Sequence, residues 1–227
     1  MKKLKYIFLL AGALSLASCE SWLDEDPQYT INTKTQFSTV ENARQALMGC
    51  YGYMSADNAY GQAWQEVTFG YCGFGWSQTN GSSTDLLVSM DGGIDETINT
   101  MAWRGMYKVI GETNAFIANI ADSPLESADK LPMEAAARFL RALAYYNLAV
   151  TYGDVPLKTT PSAHDGVAVP RSPKNEVFEL VRTDWEFAYE NLPEKDDDGF
   201  ATKWAAKAYL GKLYHTLGCQ GLSLIHI

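Results

Sequence analysis

The chain has 227 residues, of which 47% are hydrophobic and 20% charged, so it can bury a sizeable core in one or two domains. Its formal net charge of −9 disfavours nucleic acid as a partner, because phosphate binding needs a basic face. The spacing of the four cysteines does not match that of metal ligands, so we expect neither a disulfide scaffold nor a cysteine metal site.

Residues 1–18 have the pattern of a signal peptide, in which three lysines precede an apolar run that is too short to span a membrane. The leader ends Leu-Ala-Ser before Cys19, and this resembles the bacterial lipobox, in which the cysteine after the cleavage site is acylated. The alternative is an ordinary secretory leader that happens to precede a cysteine. From the lipobox we predict lipidation at Cys19 and a lipid-anchored tether over 19–36. Cleavage before Cys19 would leave 15 basic and 27 acidic residues, a formal charge of −12.

Five helices are predicted in the rest of the chain from apolar spacing and end signals. The first follows a capping box at Ser38, and the second covers Thr97–Asp122. The third opens at Pro132 and ends before Gly153, with apolar residues nearly all round it, so it is expected to be buried between other helices. A fourth begins at Ser172-Pro173 and stops at Pro193, and a fifth begins near Thr202. The expected core positions are, in the first helix, Val40, Ala43, Leu47, Cys50 and Met54; in the second, Trp103, Met106, Ile110, Ile117 and Ile120; in the third, Phe139, Leu143, Tyr146 and Val150; in the fourth, Val177, Val181, Trp185, Ala188 and Leu192; and in the fifth, Trp204, Ala205, Ala208, Leu213 and Leu217.

Several segments in chain order resemble the SusD-like, or RagB-type, outer-membrane lipoproteins that capture nutrients beside a TonB-dependent transporter. The matching segments are Cys19 in its lipobox, Phe37–Tyr51, Asn114, Ala137–Ala142, Tyr152–Leu157, Arg171, Leu192-Pro193 and Ala201–Leu210. The resemblance implies a mainly α fold, a tetratricopeptide-like helical hairpin stack with a long irregular aromatic-rich loop region. Members of the family are about twice as long, so residues 37–218 are expected to be the N-terminal part of such a domain. Residues 219–227 depart from the pattern and are expected to be a truncation or artefact tail.

Residues 56–94 show neither helical nor strand period and are predicted to be a loop insertion carrying the ligand site. Aromatic rings alternate there with glycines and amide side chains, a composition suited to sugar, because the C–H face of a pyranose stacks on a ring and its hydroxyls pair with amides. The alternative is that the aromatics merely pin the loop to the helices. In SusD-like proteins a stacking Trp and a partner Asn lie at about the positions of Trp76 and Asn80. The predicted ligand-binding residues are Trp64, Tyr71, Trp76, Asn80 and Asp85.

The sequence shows no nucleophile–base pattern, so we expect no catalytic residues, no metal and no cofactor. His164 and His215 have no partner at catalytic spacing, and Asp196–Asp198 is expected to be a solvated turn. A glycan hydrolase would need two carboxylates at a defined separation, and Asp85, Asp91, Asp95 and Glu96 mark no pair.

The resemblance implies a surface-exposed lipoprotein of the outer membrane that binds oligosaccharides and delivers them to a SusC-like TonB-dependent transporter. Two alternatives stay open. One is a tetratricopeptide-type adaptor that holds outer-membrane proteins together, which would not need the aromatic loop. The other is a lipoprotein that binds peptides as its nutrient.

Overall fold

This computed structural model describes residues 33–70, 72, 75, 87–91, 97–161, 169–196 and 198–225, and the side chains as far as Gly218. The elements assigned within these ranges are seven α-helices, one π-helical turn and one short strand pair. All of them belong to one compact unit, Thr33–Ile227. The predicted signal peptide, Cys19 and residues 19–32 of the tether lie outside the described residues. The elements in chain order are α1 (Thr33–Gln36), α2 (Val40–Ser55), a π-helical turn (Asp57–Gly61), α3 (Ala63–Gly70), α4 (Thr97–Ala121), α5 (Ser127–Tyr152), β1 (Val155–Pro156), β2 (Arg171–Ser172), α6 (Lys174–Asn191) and α7 (Lys203–Ile225).

Helix α2 begins one residue later than the sequence predicted. The hydroxyl of Thr39, not that of Ser38, accepts the N–H of Asn42 at 3.2 Å and caps the helix. Val40 is exposed, whereas the other four predicted positions on this helix are buried. One of them is Cys50, whose thiol pKa is raised to about 12 by burial, as expected of a core cysteine.

Helix α5 is the centre of the stack, and nearly every residue from Met133 to Ala149 is buried. This confirms that it lies between other helices, α4 on one side and α6 on the other. The predicted start was wrong, because the helix begins at Ser127 and Pro132 lies inside its second turn. The predicted end is confirmed, since Gly153 takes the positive φ of 76° that a helix terminus favours. Val150 is exposed beside that end and does not join the core.

Helices α6 and α7 continue the series of hairpins, and the predicted stripe of α6 is buried from Val177 to Leu192. The prediction for α7 is confirmed in part, because Leu213 is buried and Ala205 and Leu217 are half-buried against the core. It was wrong at Trp204, which is 52% exposed, and at Ala208, which is also exposed, and the buried positions Ala206 and Leu210 were not predicted. Small residues are frequent along α7, so its hydrophobic pattern did not distinguish the two faces. The helix backbone also runs to Ile225, into the segment expected to be an artefact tail.

Two regions predicted to lack structure contain helix. Helix α1 occupies the last four residues of the predicted tether, and the π-helical turn and α3 occupy 57–70 of the predicted loop. Helix α3 has only eight residues, too few for a clear period in the sequence. Its buried residues are Ala63, Trp64, Val67 and Gly70.

The π-helical turn lies directly on α4 at Gly105. A Cβ atom added to Gly105 would stand 1.8 Å from the carbonyl oxygen of Asn58, far inside van der Waals contact. Only glycine therefore allows the turn to approach α4 this closely. The π-helical turn positions α3, which follows it after one residue.

A buried ion pair connects α5 to α6. The guanidinium of Arg141 donates from Nε and Nη2 to both carboxylate oxygens of Asp184, each at 2.8 Å, and Asp184 is fully buried. Arg141 also donates from Nη1 to the Oδ1 of Asn114 on α4 at 2.9 Å. Three successive helices therefore share one hydrogen-bonded network whose planar, two-pronged geometry fixes their register.

The same network holds the segment after β1. The amide of Asn114 donates to the carbonyl oxygens of Lys158 and Thr160, at 2.9 and 3.2 Å. The hydroxyl of Tyr145 accepts the backbone N–H of Lys158 and donates to the carbonyl oxygen of the same residue. The hydroxyl of Tyr107 donates to the carbonyl oxygen of Pro156 at 2.7 Å. We name residues 156–160 the strap, since these side chains fix its backbone against α4 and α5.

The close contact at Gly105 predicts that Gly105→Ala lowers the free energy of unfolding by about 1–3 kcal/mol, because the new methyl group overlaps the Asn58 carbonyl. Gly52→Ala is the matched control. That glycine is also inside a helix but has no atom within 4 Å of an added Cβ, so alanine should stabilise by about 0.5–1 kcal/mol. Urea denaturation of both variants measures the difference. Equal stability of the two would show that the turn does not approach α4 this closely.

The buried pair predicts that Asp184→Asn lowers the free energy of unfolding by about 3–5 kcal/mol, because Arg141 keeps its charge in the core without a counter-ion. Glu179→Gln is the control on the same helix. It breaks the exposed ion pair of Glu179 with Arg182, which should cost about 0–1 kcal/mol. A loss for Asp184→Asn no larger than for the control would mean that the pair does not hold α5 on α6.

Candidate functional site

Of the five predicted ligand residues, the structure describes only Trp64. Tyr71, Trp76, Asn80 and Asp85 lie outside the described residues, and their assignment stays a prediction. Trp64 is 8% exposed, with its ring centroid 6.4 Å from that of Tyr60. A ring enclosed in this way offers no free face to a sugar, so the burial of Trp64 favours the packing alternative for this residue.

Tyr60, from the π-helical turn, also has a structural role. Its hydroxyl oxygen accepts the side-chain amide of Asn147 on α5 at 2.8 Å, and burial raises its pKa. The turn and the start of α3 are therefore attached to the central helix by both packing and a hydrogen bond. This gives the outer face of α3 a fixed position.

The outer face of α3 carries a shallow, open concavity of about 570 Å³. Its most exposed large apolar residue is Phe69, at 53% of its surface. We name this region the α3 surface; its lining residues are Gln65, Glu66, Thr68, Phe69 and Cys72. An exposed ring flanked by amide, carboxyl and hydroxyl groups is the combination that sugar binding requires.

Hydrogen bonds orient the polar side chains of the α3 surface. The amide nitrogen of Gln65 donates to the carbonyl of Tyr60 at 2.6 Å, which leaves its amide oxygen turned away from that bond. The amide of Gln62 donates to a carboxylate oxygen of Glu66 at 2.7 Å. These side chains are therefore held before any ligand arrives, which reduces the entropy lost on binding.

The chain returns to the α3 surface at Gly75. A Cβ atom added there would lie 3.1 Å from both the ring and the carbonyl oxygen of Phe69, so this backbone lies against Phe69. Trp76 is the next residue in the sequence. Gly75, the residue that precedes the predicted Trp76, therefore lies beside the exposed ring.

Phe69 lies within the predicted loop 56–94 but was not among the predicted ligand-binding residues, whereas Trp64 was. The phase of α3 distinguishes them. Trp64 and Val67 lie on its buried face, and Phe69, two residues after Val67, points away from it. Recognising 63–70 as a helix would have identified the exposed ring.

Within the described ranges, no three His, Cys, Asp or Glu side chains are grouped so that they could hold a metal ion. In those same ranges, no helix has the length and apolar character needed to cross a membrane.

Of the carboxylates considered for a hydrolase, only Asp91 is described, and it is exposed. Asp196 lies not in a wholly solvated turn but in contact with Arg44, and hydrogen bonds from backbone N–H groups and from Arg44 outweigh burial and lower its pKa.

Comparison with known proteins gives one family. The sequence model of a SusD-like family, described as starch-binding and associating with the outer membrane, matches residues 21–215. A relative is the SusD-like protein P25 of Formosa agariphila, which is 26% identical over 223 residues, covering 92% of this chain and 42% of that protein. The chain thus spans about two fifths of the length of the curated relatives it matches.

Two solved structures that are similar in fold are described as binding, or containing, a sugar. One is a laminarin-binding SusD-like protein, 25% identical, with a TM-score of 0.68 over 80% of this chain and 41% of that one. The other is a crystal structure with xylogluco-oligosaccharide, 26% identical, with a TM-score of 0.64 over 74% of this chain and 34% of that one. The mainly α, tetratricopeptide-like fold class predicted from the sequence is confirmed. Because the family match covers most of its residues, the chain belongs to the SusD-like family of starch-binding proteins associating with the outer membrane.

Proposed function

We propose that this chain is part of a lipoprotein that binds oligosaccharides at the α3 surface and the aromatic segment that follows it. The proposal depends above all on the exposed ring of Phe69, fixed among Gln65, Glu66 and Thr68 beside the start of that segment. Tyr71, Trp76, Asn80 and Asp85 are proposed to complete the site. In this proposal the protein binds and releases the sugar without changing it chemically. We therefore assign no catalytic group and propose that the protein is not an enzyme.

The ligand class is supported by physical chemistry and by the relatives. A pyranose that covers the free face of Phe69 removes apolar surface of both partners from water, and the neighbouring amide and carboxylate groups can pair with its hydroxyls. Two structural relatives are described with laminarin and with a xyloglucan oligosaccharide, both of them glucan-based sugars. These two polysaccharides are therefore the first ligands to test.

The cellular setting of the proposal comes from the leader and the family. We infer that Cys19 carries lipid, that the protein stands on the outer face of the outer membrane, and that it delivers sugar to a SusC-like TonB-dependent transporter. The family description supports association with the outer membrane. The mature charge of −12 makes attraction to anionic lipid a poor alternative to an acyl anchor.

The adaptor and peptide-binding alternatives make different demands on the α3 surface. An adaptor uses the helical stack itself and has no use for an exposed ring surrounded by polar side chains. A peptide-binding protein would accept peptides in place of neutral sugars. Binding measurements with both ligand classes therefore separate the three functions.

We predict that Phe69→Ala weakens binding of laminarin or xyloglucan oligosaccharides by about fivefold to thirtyfold, because one stacking face worth about 1–2 kcal/mol is lost. Isothermal titration calorimetry measures this. Trp204→Ala is the matched control, since it removes a ring of similar exposure from α7 and should leave the affinity unchanged. Equal affinity of wild type and Phe69→Ala, or binding of peptides but of neither sugar, would contradict the proposal.

Replacing the proposed lipid attachment residue should release the protein from the membrane. Cys19→Ala is expected to abolish incorporation of a labelled fatty acid and to move the protein to the soluble fraction, because the acyl chains supply the hydrophobic anchor. Ser18→Ala is the control, since alanine is also small enough for the cleavage site. Unchanged membrane retention of Cys19→Ala would show that another element holds the protein there.

A further inference from the structure

A second concavity lies between α4 and the strap, away from the residues of the α3 surface. It has a volume of about 270 Å³, close to the lower end of ordinary ligand pockets. Half-buried aromatic rings of Trp103 and Tyr107 line it from α4, while Pro156 and Lys158 line it from the strap. We name it the strap cleft. Its size suits a single ring rather than an extended chain.

Both walls of the strap cleft are rigid. The rings of Trp103 and Tyr107 have centroids 5.0 Å apart, and Tyr152 packs edge-on against Trp103 at 5.1 Å. The strap is held by the hydroxyls of Tyr107 and Tyr145 and by the amide of Asn114. The cleft is therefore formed before a ligand enters, and binding needs little ordering of the protein.

The acceptor atoms around the cleft are already engaged. The carbonyl of Pro156 accepts the hydroxyl of Tyr107, and that of Lys158 accepts two hydrogen bonds, from Tyr145 and Asn114. The amide oxygen of Asn114 accepts Arg141. Among the described residues, each of these oxygens therefore already accepts at least one hydrogen bond, so a hydroxyl donor of a neutral sugar would have to share an acceptor that is in use.

Two donors at the cleft remain available. Neither the ammonium of Lys158 nor the indole N–H of Trp103 has a hydrogen-bond partner among the side chains and backbone that the structure describes. Arg171 pairs with Pro156 across the two strands, and directly opposite residues share a face of the ladder, so a second cation lies at this end of the strap. The nearby carboxylate of Asp154 is engaged with the backbone N–H of Lys174, at 2.8 Å.

Ring faces, two donors without a partner among the described residues, and acceptors that each already accept a hydrogen bond together favour an anionic ring. We propose that the strap cleft binds one acidic sugar residue, a pyranose that carries a carboxylate or a sulfate. The ring packs against Trp103 and Tyr107, and the anion accepts hydrogen bonds from the Lys158 ammonium and the Trp103 indole. The choice of a sugar ring rests on the proposed glycan-binding function; the negative charge rests on the cleft alone.

The indole N–H signals of the tryptophans report on this site in two-dimensional ¹H–¹⁵N NMR, and the signal lost in Trp103→Phe identifies Trp103. The full chain is titrated with methyl glucuronide, methyl glucoside 6-sulfate and methyl glucoside. We expect the acidic rings to shift the Trp103 signal and the neutral ring to leave it unchanged. The stronger of the two acidic ligands identifies the anion that the cleft takes.

Lys158→Met keeps the length of the side chain and should weaken binding of the acidic ring by about tenfold or more, because a charge-assisted hydrogen bond is lost. Arg104→Gln is the charge-matched control, since this exposed residue adjoins Trp103 in sequence but does not line the cleft. It should change the affinity by less than about twofold, as expected of a solvent-screened charge.

Equal shifts from the neutral and acidic rings, no shift from either acidic ring, or equal losses in Lys158→Met and Arg104→Gln would each overturn the assignment. The result is independent of the α3 surface. Lys158→Met should bind neutral oligosaccharides as the wild type does, and Phe69→Ala should retain the Trp103 shift. A failure of sugar binding at Phe69 would therefore leave the test of the strap cleft intact.

Discussion

The ion pair between Arg141 and Asp184 is the interaction on which the arrangement of the central helices depends. Both side chains are buried, and the pair is two-pronged, so α5 and α6 can meet in one register without leaving a charge unpartnered. Both ions lose their hydration in the core, so each depends on the other, and removal of either partner leaves a buried charge without compensation. Its extension through Asn114 carries the same constraint to α4 and to the strap.

Both candidate binding regions are supported by this scaffold. The strap lies on α4 and α5 through hydrogen bonds to its backbone, whereas the α3 surface is attached to α5 through Tyr60 and Asn147 and to α4 through the contact at Gly105. Ligand-binding residues placed on rigid elements lose little freedom on binding. Arg141, Asp184 and Asn147 therefore have an indirect role in both proposals, since they fix elements whose surfaces they do not themselves line.

The sequence predicted the helical hairpins well, because long stripes such as those of α5 and α6 repeat over many turns and end at residues such as Gly153. It failed where the signal was short or the pattern ambiguous. Helix α3 has eight residues, so the buried Trp64 was chosen in place of the exposed Phe69. The buried ion pair of Arg141 was also not predicted. A single charged residue in a helix is normally assigned to the surface unless its partner on another helix is known. That partner, Asp184, is 43 residues away.

Hydrogen–deuterium exchange with and without a bound xyloglucan or laminarin oligosaccharide tests the central claim most directly. If sugar binds at the α3 surface on a preformed scaffold, saturating ligand slows amide exchange in peptides covering residues 65–85. Peptides from the central part of α5, which are protected in the free protein by burial, should not change. Protection that appears only outside 65–85, or a general slowing across α4, α5 and α6 on binding, would contradict the account. The first result would place the site elsewhere, and the second would show that the scaffold is ordered by its ligand.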